Sequence, residues 1–262
     1  MDRNHEVPST VSIPSAVFVF YSKSADKFPG KGTGESLSVP ESTYKALSVI
    51  PKWRQMLSNF WPCLLQIDGQ TWASVEHYYQ ASKFKHDNPE FYARFALDTD
   101  NGELATNPAL AKAAGGKTGK YQGKQFRPKY IVADKDFFST DRHRTEMETA
   151  QAVKFAIPEL ADMLALTAGA ELIHTLGRGR GTVRFDFVMA LRDKALLTSK
   201  LQECTLAPLG EEDGWQPQCT RASVKSEFTY CGGRRFAEIE HKTLAQALQG
   251  RPSPPIYLDD NL

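Results

Sequence analysis

Proline and glycine cut this chain into short lengths, and that punctuation limits what it can fold into. Asn88-Pro89, Asn107-Pro108 and Pro158 each put a proline where a helix can begin but not continue. Gly115-Gly116 and Gly169 fall where helices can end. Between these marks the apolar residues recur with helical spacing. The pattern predicts a helix from Thr71 or Ser74 to about Lys85, and others opening at Asn88-Pro89 and at Asn107-Pro108. A fourth is capped by Asp141 and stops before Pro158, a fifth covers Pro158 to Leu166, and a sixth, amphipathic, covers 185–201.

Strands are fewer. Val17-Phe-Val-Phe-Tyr21 is β-branched and aromatic and reads as a buried strand, and Cys63 to Ile67 reads as a second, closed by the Asp68-Gly69 turn. The expected fold is therefore mainly α with a few short strands, a compact multihelical domain over 17–203. A polar tail over 1–16, with Pro8 and Pro14, precedes it. Residues 204–262 form a C-terminal extension with Pro208, Pro217, Pro252, Pro254 and Pro255, a hairpin about Gly232-Gly233 and a helix over 235–249. No repeat of fixed period is visible.

Composition excludes several classes. The chain has 262 residues, 41% hydrophobic and 24% charged, with a net charge of +1, which suits a globular fold rather than a disordered one. No apolar run reaches the ~20 residues of a membrane span. The first fifteen residues lack the apolar stretch of a secretory signal, so an intracellular protein of cytoplasm or nucleus is expected. Cys63, Cys204, Cys219 and Cys231 are widely spaced and include no Cys-x-x-Cys pair. Reduced cysteines are expected, with Cys63 in the core and a Cys219–Cys231 bridge left open. Near-zero net charge argues against avid nucleic-acid binding as the main role, so any anion site must be local.

Four segments carry candidate chemistry. On the helix after Ser74, Glu76, Tyr79 or Gln80, and Lys83 share one face. A carboxylate, an amide or phenol and an ammonium on one stripe can serve acid–base chemistry; the bland alternative is a solvated face. Trp72, Tyr78, Tyr79 and Phe84 suggest packing on more than one side, which would desolvate Glu76. The loop from Lys23 through Lys31 and Gly32 to Glu35 offers glycine N–H groups and lysines to an anion, though it lacks the spacing of a P-loop. Residues 112–129 hold six Lys and Arg without an acid, and Gly177-Arg-Gly-Arg-Gly181 is a second basic turn. Either can meet phosphate, or be a charged surface loop. His-Glu-x-x-His and Gly-x-Ser-x-Gly patterns are absent, so neither a zinc hydrolase nor a serine hydrolase is expected.

Leu57-Ser-Asn-Phe-Trp-Pro62, Asp68-Gly-Gln-Thr-Trp72 and Val75-Glu-His-Tyr-Tyr-Gln-Ala-Ser-Lys-Phe84 resemble the NADAR family. That family includes N-glycosidases of riboflavin-pathway intermediates and hydrolases that remove ADP-ribose from guanine. The resemblance spans about 17–200. The segment Phe20 through Glu35 looks like the version in larger eukaryotic and viral members, and Ala105 through Lys117 is also similar. The resemblance implies a mostly helical fold with a ribosyl-binding cleft and no metal or cofactor. One motif departs: riboflavin-intermediate glycosidases carry Trp-Gly-Asp before the last helix, where this chain reads His174-Thr-Leu-Gly-Arg-Gly-Arg-Gly-Thr-Val-Arg184. Arginines suit a diphosphate. The expected activity is removal of ADP-ribose from guanine or guanosine, in a nucleotide, DNA or RNA. The alternatives are the riboflavin-intermediate glycosidase and an ADP-ribose or NAD reader without turnover. No obligate protein partner is implied. Glu76 is the expected carboxylate, with Lys83 or Lys23 as acid. Tyr21, Trp61 and Trp72 are candidates for stacking, and Lys31, Lys117, Arg178 and Arg180 for the diphosphate. Gly32, Asn59, Phe60, His77 and Gln80 complete the expected ligand-binding set.

Overall fold

The computed structural model describes residues 14–99, 102–176 and 180–205, with side chains through Ser199. The N-terminal tail to residue 13, Arg178, Cys219, Cys231 and the expected hairpin and helix after 205 lie outside the described residues, as does the side chain of Cys204. By internal contacts the chain divides into two units, Met1–Leu196 and Leu197–Leu262.

In chain order the elements are β1 (Ala16–Phe20), β2 (Ser36–Leu37), a 3-10 turn (Glu41–Tyr44), α1 (Lys45–Ser48), α2 (Trp53–Leu57), β3 (Leu65–Ile67), β4 (Gln70–Trp72) and α3 (Val75–Ser82). There follow α4 (Pro89–Ala93), α5 (Glu103–Thr106), α6 (Pro108–Ala114), β5 (Lys120–Tyr121), β6 (Lys124–Gln125), α7 (Asp136–Ser139) and α8 (Arg142–Lys154). The last are α9 (Pro158–Ala165), β7 (Ala170–Thr175), β8 (Thr182–Arg184) and α10 (Asp186–Thr205).

The mainly-α expectation is corrected: this is an α/β fold built on a mixed sheet of order β2-β1-β7-β8. β1 runs parallel to β7, Ala16 opposite Ala170 and Phe20 opposite His174, and antiparallel to β2; β8 returns antiparallel on β7. The sequence pattern predicts a basic turn at Gly177–Gly181 and no strand before it, where β7 lies. Its Ala-Glu-Leu-Ile-His-Thr is short, and its partner strand is at the other end of the sequence, so no local pattern announces it. Gly169 sets the entry to this pairing. Its φ is +75, its carbonyl accepts the Ser15 N–H at 3.0 Å, and a Cβ there would lie 2.7 Å from Ser15 Oγ.

Local signals that were legible appear where expected. Asp68 and Gly69 both take positive φ and join β3 to β4 in a hairpin, Leu65 opposite Trp72. Asn107 Oδ1 accepts from the N–H groups of Ala109 and Leu110 and starts α6. Ser74 caps α3, but the helix ends at Ser82 rather than near Lys85.

Two apolar clusters form the core. The first joins the sheet to α2, α9 and α10 through Phe18, Phe20, Trp53, Leu57, Leu172 and Val188. The second surrounds α3 with Trp72, Tyr78, Phe84, Phe91 and Phe95. Cys63 and Ile157 pack against both, so the clusters meet there. No helix among the described residues is long and apolar enough to cross a membrane.

Candidate functional site

The stripe on α3 exists, and it is buried rather than solvated. Glu76 is 6% exposed, and its backbone N–H donates to the Asn59 carbonyl at 2.9 Å, tying the helix start to the turn after α2. Glu76 Oε1 accepts from Gln80 Nε2 at 2.9 Å. Gln80 Oε1 accepts from Lys83 Nζ at 2.6 Å, and Lys83 also donates to the Gly115 carbonyl at 3.0 Å. Carboxylate, amide and ammonium thus form one hydrogen-bonded chain along the helix. Burial pushes the Glu76 carboxyl above its usual value, with Lys112, Gln80 and Lys83 pulling the other way. Burial likewise drops Lys83 to about 8, helped by Arg127 and Lys112 and opposed by Glu76. Both groups are poised nearer neutrality than in water, as proton transfer near neutral pH requires. Lys83 Nζ lies 5.4 Å from the centre of Tyr79 and 5.9 Å from that of the exposed Phe138.

Gly115 makes the chain possible. A Cβ there would meet Gln80 Oε1 at 2.1 Å and Gln80 Cβ at 2.8 Å, so Gln80 cannot stay in place beside alanine. Gly115 has ordinary helical φ, and alanine would gain at most ~1 kcal/mol of helix propensity. Overpacking costs ~1–3 kcal/mol, so the clash wins. Gly115→Ala is expected to lower the thermal midpoint by displacing Gln80 from Glu76. An unchanged melting curve would show that Gln80 is not held by this contact.

Other expected site residues are placed differently. Trp72 is 0% exposed, donates to the Ile67 carbonyl and packs on Tyr78 and Tyr92, so its proposed role in stacking on a ligand is corrected to the core. His77 is 1% exposed and shares its Nδ1 with Ser74 Oγ at 2.8 Å, leaving Nε2 buried without a partner. Burial holds this imidazole neutral, down to about 3. Trp61 is half-buried against the first core cluster, and Phe60 and Asn59 are half-buried beside Glu76. Asn59 Oδ1 accepts from Gln151 at 3.3 Å.

The glycine loop does bind a carboxylate, but its own. Glu35 accepts from the N–H groups of Gly30 at 3.0 Å and Gly32 at 2.9 Å, and from Val19 at 3.2 Å. Arg54 donates to the same carboxylate through Nε at 2.7 Å and through its NH2 nitrogen at 2.6 Å. The expectation that Gly32 presents its N–H to a ligand is corrected: that donor is taken. Lys31 pairs with Glu41 at 2.5 Å on the surface, and Tyr21 and Lys23 are exposed near the start of the loop. Lys117 is exposed, while Arg127 caps α6 by donating to the carbonyls of Ala114, Gly116 and Lys117. Arg180 donates to the Leu176 carbonyl at 3.0 Å, within its own turn.

Lys154 and His174 carried no sequence prediction, and Lys112 carried one only as part of the basic segment 112–129. Lys112 on α6 is exposed and sits 5.0 Å above the Phe60 ring. Lys154 is 0% exposed, donates to the Ser58 carbonyl at 2.6 Å and is lowered by burial to about 8. His174 on β7 lies against both Phe20 and Phe185 and is lowered to about 4 by burial, Lys112 and Lys154. Lys154 had one usable signal: it stands one turn beyond the fully buried Ala150 on the same helix face. Elsewhere, His86, Asp134 and Asp136 bring ligand atoms within 4.8 Å of one another. Arg142 already donates to both carboxylates, at 2.6 Å and 3.1 Å, and the backbone of His86 and Asp87 fills Asp134, so this cluster is an internal ion pair.

No protein-family profile matches the chain, and no curated protein does. Among solved structures it is similar to the NMR structure of the Escherichia coli protein YbiA, at 20% identity and a TM-score of 0.39. The match covers 73% of this chain and 90% of that one.

Proposed function

We propose that the chain is an N-glycosidic hydrolase acting on a ribosyl bond to nitrogen, with ADP-ribosylated guanine as its substrate. One observation carries the reading: Glu76 is buried and held by Gln80 in a hydrogen-bonded chain that ends on Lys83. As the C1–N bond lengthens, positive charge grows on the sugar carbon, and a fixed carboxylate in a dry site stabilises it more than water would. Water then adds to C1 and gives up a proton, while the departing nitrogen takes one. A lysine near 8 gives a proton more readily than an ordinary lysine, and Lys83 is the group for that step. The guanine conjugate, rather than a riboflavin-pathway intermediate, follows from the resemblance to NADAR proteins and from arginines standing where Trp-Gly-Asp would be. A fixed, buried Glu76 also favours turnover over passive reading of ADP-ribose, for which a desolvated carboxylate has no use.

The experiment is a side-by-side incubation with ADP-ribosylguanosine, ADP-ribosylthymidine and the ribosylamino-pyrimidine phosphate of riboflavin synthesis, with mass detection of the freed sugar phosphate. Release of ADP-ribose from the guanine conjugate alone is expected, since a site shaped for one base leaves polar groups unpaired with another. Release of ribose 5-phosphate from the riboflavin intermediate alone would transfer the function to that pathway. ADP-ribose binding with no turnover of any substrate would make the chain a reader.

A further inference from the structure

A ribosyl substrate of the proposed kind brings phosphate to within a few ångströms of the sugar, and something must meet it. The glycine loop is occupied, since Glu35 takes the N–H groups of Gly30 and Gly32. Lys31 is paired with Glu41, and Arg184 with Glu171 and Asp186. Lys112 is placed otherwise. It stands on α6 one turn before Gly115, the residue whose carbonyl holds Lys83, and its ammonium rests 5.0 Å over Phe60. Phe60 follows Asn59, whose carbonyl takes the Glu76 N–H. None of the ion pairs among the described residues includes Lys112.

We infer that Lys112, braced over Phe60 beside Glu76, anchors a phosphate group of the substrate. The inference rests on the N-glycosidase reading for the identity of the ligand, but not for its own test. Charge supports it. Lys112 and Lys83 both act on the Glu76 carboxylate, Lys112 and Lys154 both act on His174, and the imidazoles of His77 and His174 are held neutral. Two lysines thus face the Glu76 carboxylate, and a phosphate balances the second charge. The aromatic face steadies the ammonium without supplying a hydrogen-bond acceptor, so its N–H donors are left to make charge-assisted bonds.

The test is calorimetry of the full chain with ribose, ribose 5-phosphate and ADP-ribose, for the wild type, Lys112→Gln and Lys112→Arg, with turnover kinetics alongside. Lys112 is exposed, so melting curves are expected to overlay. Lys112→Gln is expected to weaken at least one phosphate ligand by about tenfold or more, the usual effect of losing a charged hydrogen bond, and ribose by less than about twofold. Lys112→Arg is expected to recover most of the loss. Loss on both phosphate ligands assigns Lys112 to the phosphate nearest the ribose; loss on ADP-ribose alone assigns it to the outer one. Equal affinities in wild type and Lys112→Gln, equal losses for ribose, or no phosphate binding by the wild type would overturn the inference. Lost phosphate affinity in a chain that hydrolyses nothing would keep the inference and sink the hydrolase reading. Unchanged KM in an active Lys112→Gln enzyme would do the reverse.

Discussion

Glu35→Ala is expected to lower folding stability by ~3–5 kcal/mol, the usual cost of stripping one partner from a buried ion pair. The Glu35 side chain is 0% exposed and that of Arg54 is 2% exposed. Without the carboxylate, Arg54 keeps only the carbonyls of Lys27 and Phe28, at 2.5 and 2.9 Å, and its charge stays enclosed against Trp53. The N–H groups of Gly30 and Gly32 lose their acceptor as well. Against the ~5–15 kcal/mol of an ordinary domain, this loss removes a large fraction of the whole. Arg54→Met alone is expected to cost less than Glu35→Ala, because Glu35 retains three backbone donors. The double variant Glu35→Ala with Arg54→Met should fall short of the sum of the single losses, as residues in one network do. Denaturant midpoints measure all of these. A loss below ~1 kcal/mol for Glu35→Ala would mean that water reaches the pair and that the loop is not pinned by it.

Glu76→Gln is expected to reduce turnover of the proposed substrate at least ~100-fold, the lower range for a positioned acid–base group, with ADP-ribose affinity retained. The carboxylate acts in its ionised form, so the rate should rise with pH on the acid side. Burial raises the Glu76 carboxyl, so the midpoint of that limb should lie above the ordinary 4.5. The variant should lose the limb altogether. Stability should move the opposite way. A carboxyl raised by folding favours the folded state fully below its unfolded value, and that advantage is lost as pH rises through the folded value. At pH 7 the buried carboxylate is therefore a burden, and Glu76→Gln should melt higher than the wild type there but not at pH 4. Near-normal turnover in the variant would remove Glu76 from the mechanism. A lower melting temperature at neutral pH would show that the carboxylate is needed by the fold rather than by a reaction.

The sequence by itself determined what depends on neighbours a few residues apart. Ser74 and Asn107 cap their helices because a short side-chain oxygen reaches N–H groups two or three residues on. Asp68-Gly69 turns the chain because both tolerate positive φ. Glu76, Gln80 and Lys83 line up because helical geometry puts i, i+4 and i+7 on one face, and the structure joins them by hydrogen bonds. What the sequence could not determine is what arrives from far along the chain. β7 becomes a strand because it finds β1, and the fold becomes α/β rather than mainly α through that pairing. The glycine loop looks ready for an outside anion until folding delivers Arg54 and turns Glu35 inward. Trp72 reads as a stacking platform until Tyr78 and Tyr92 close over it. Lys112 comes over Phe60, and Lys154 disappears beneath Ser58, only when α6 and α8 pack beside the start of α3. Desolvation and ion pairing depend on the three-dimensional surroundings of a side chain, and a linear pattern reports only the part of those surroundings that lies within a turn or two.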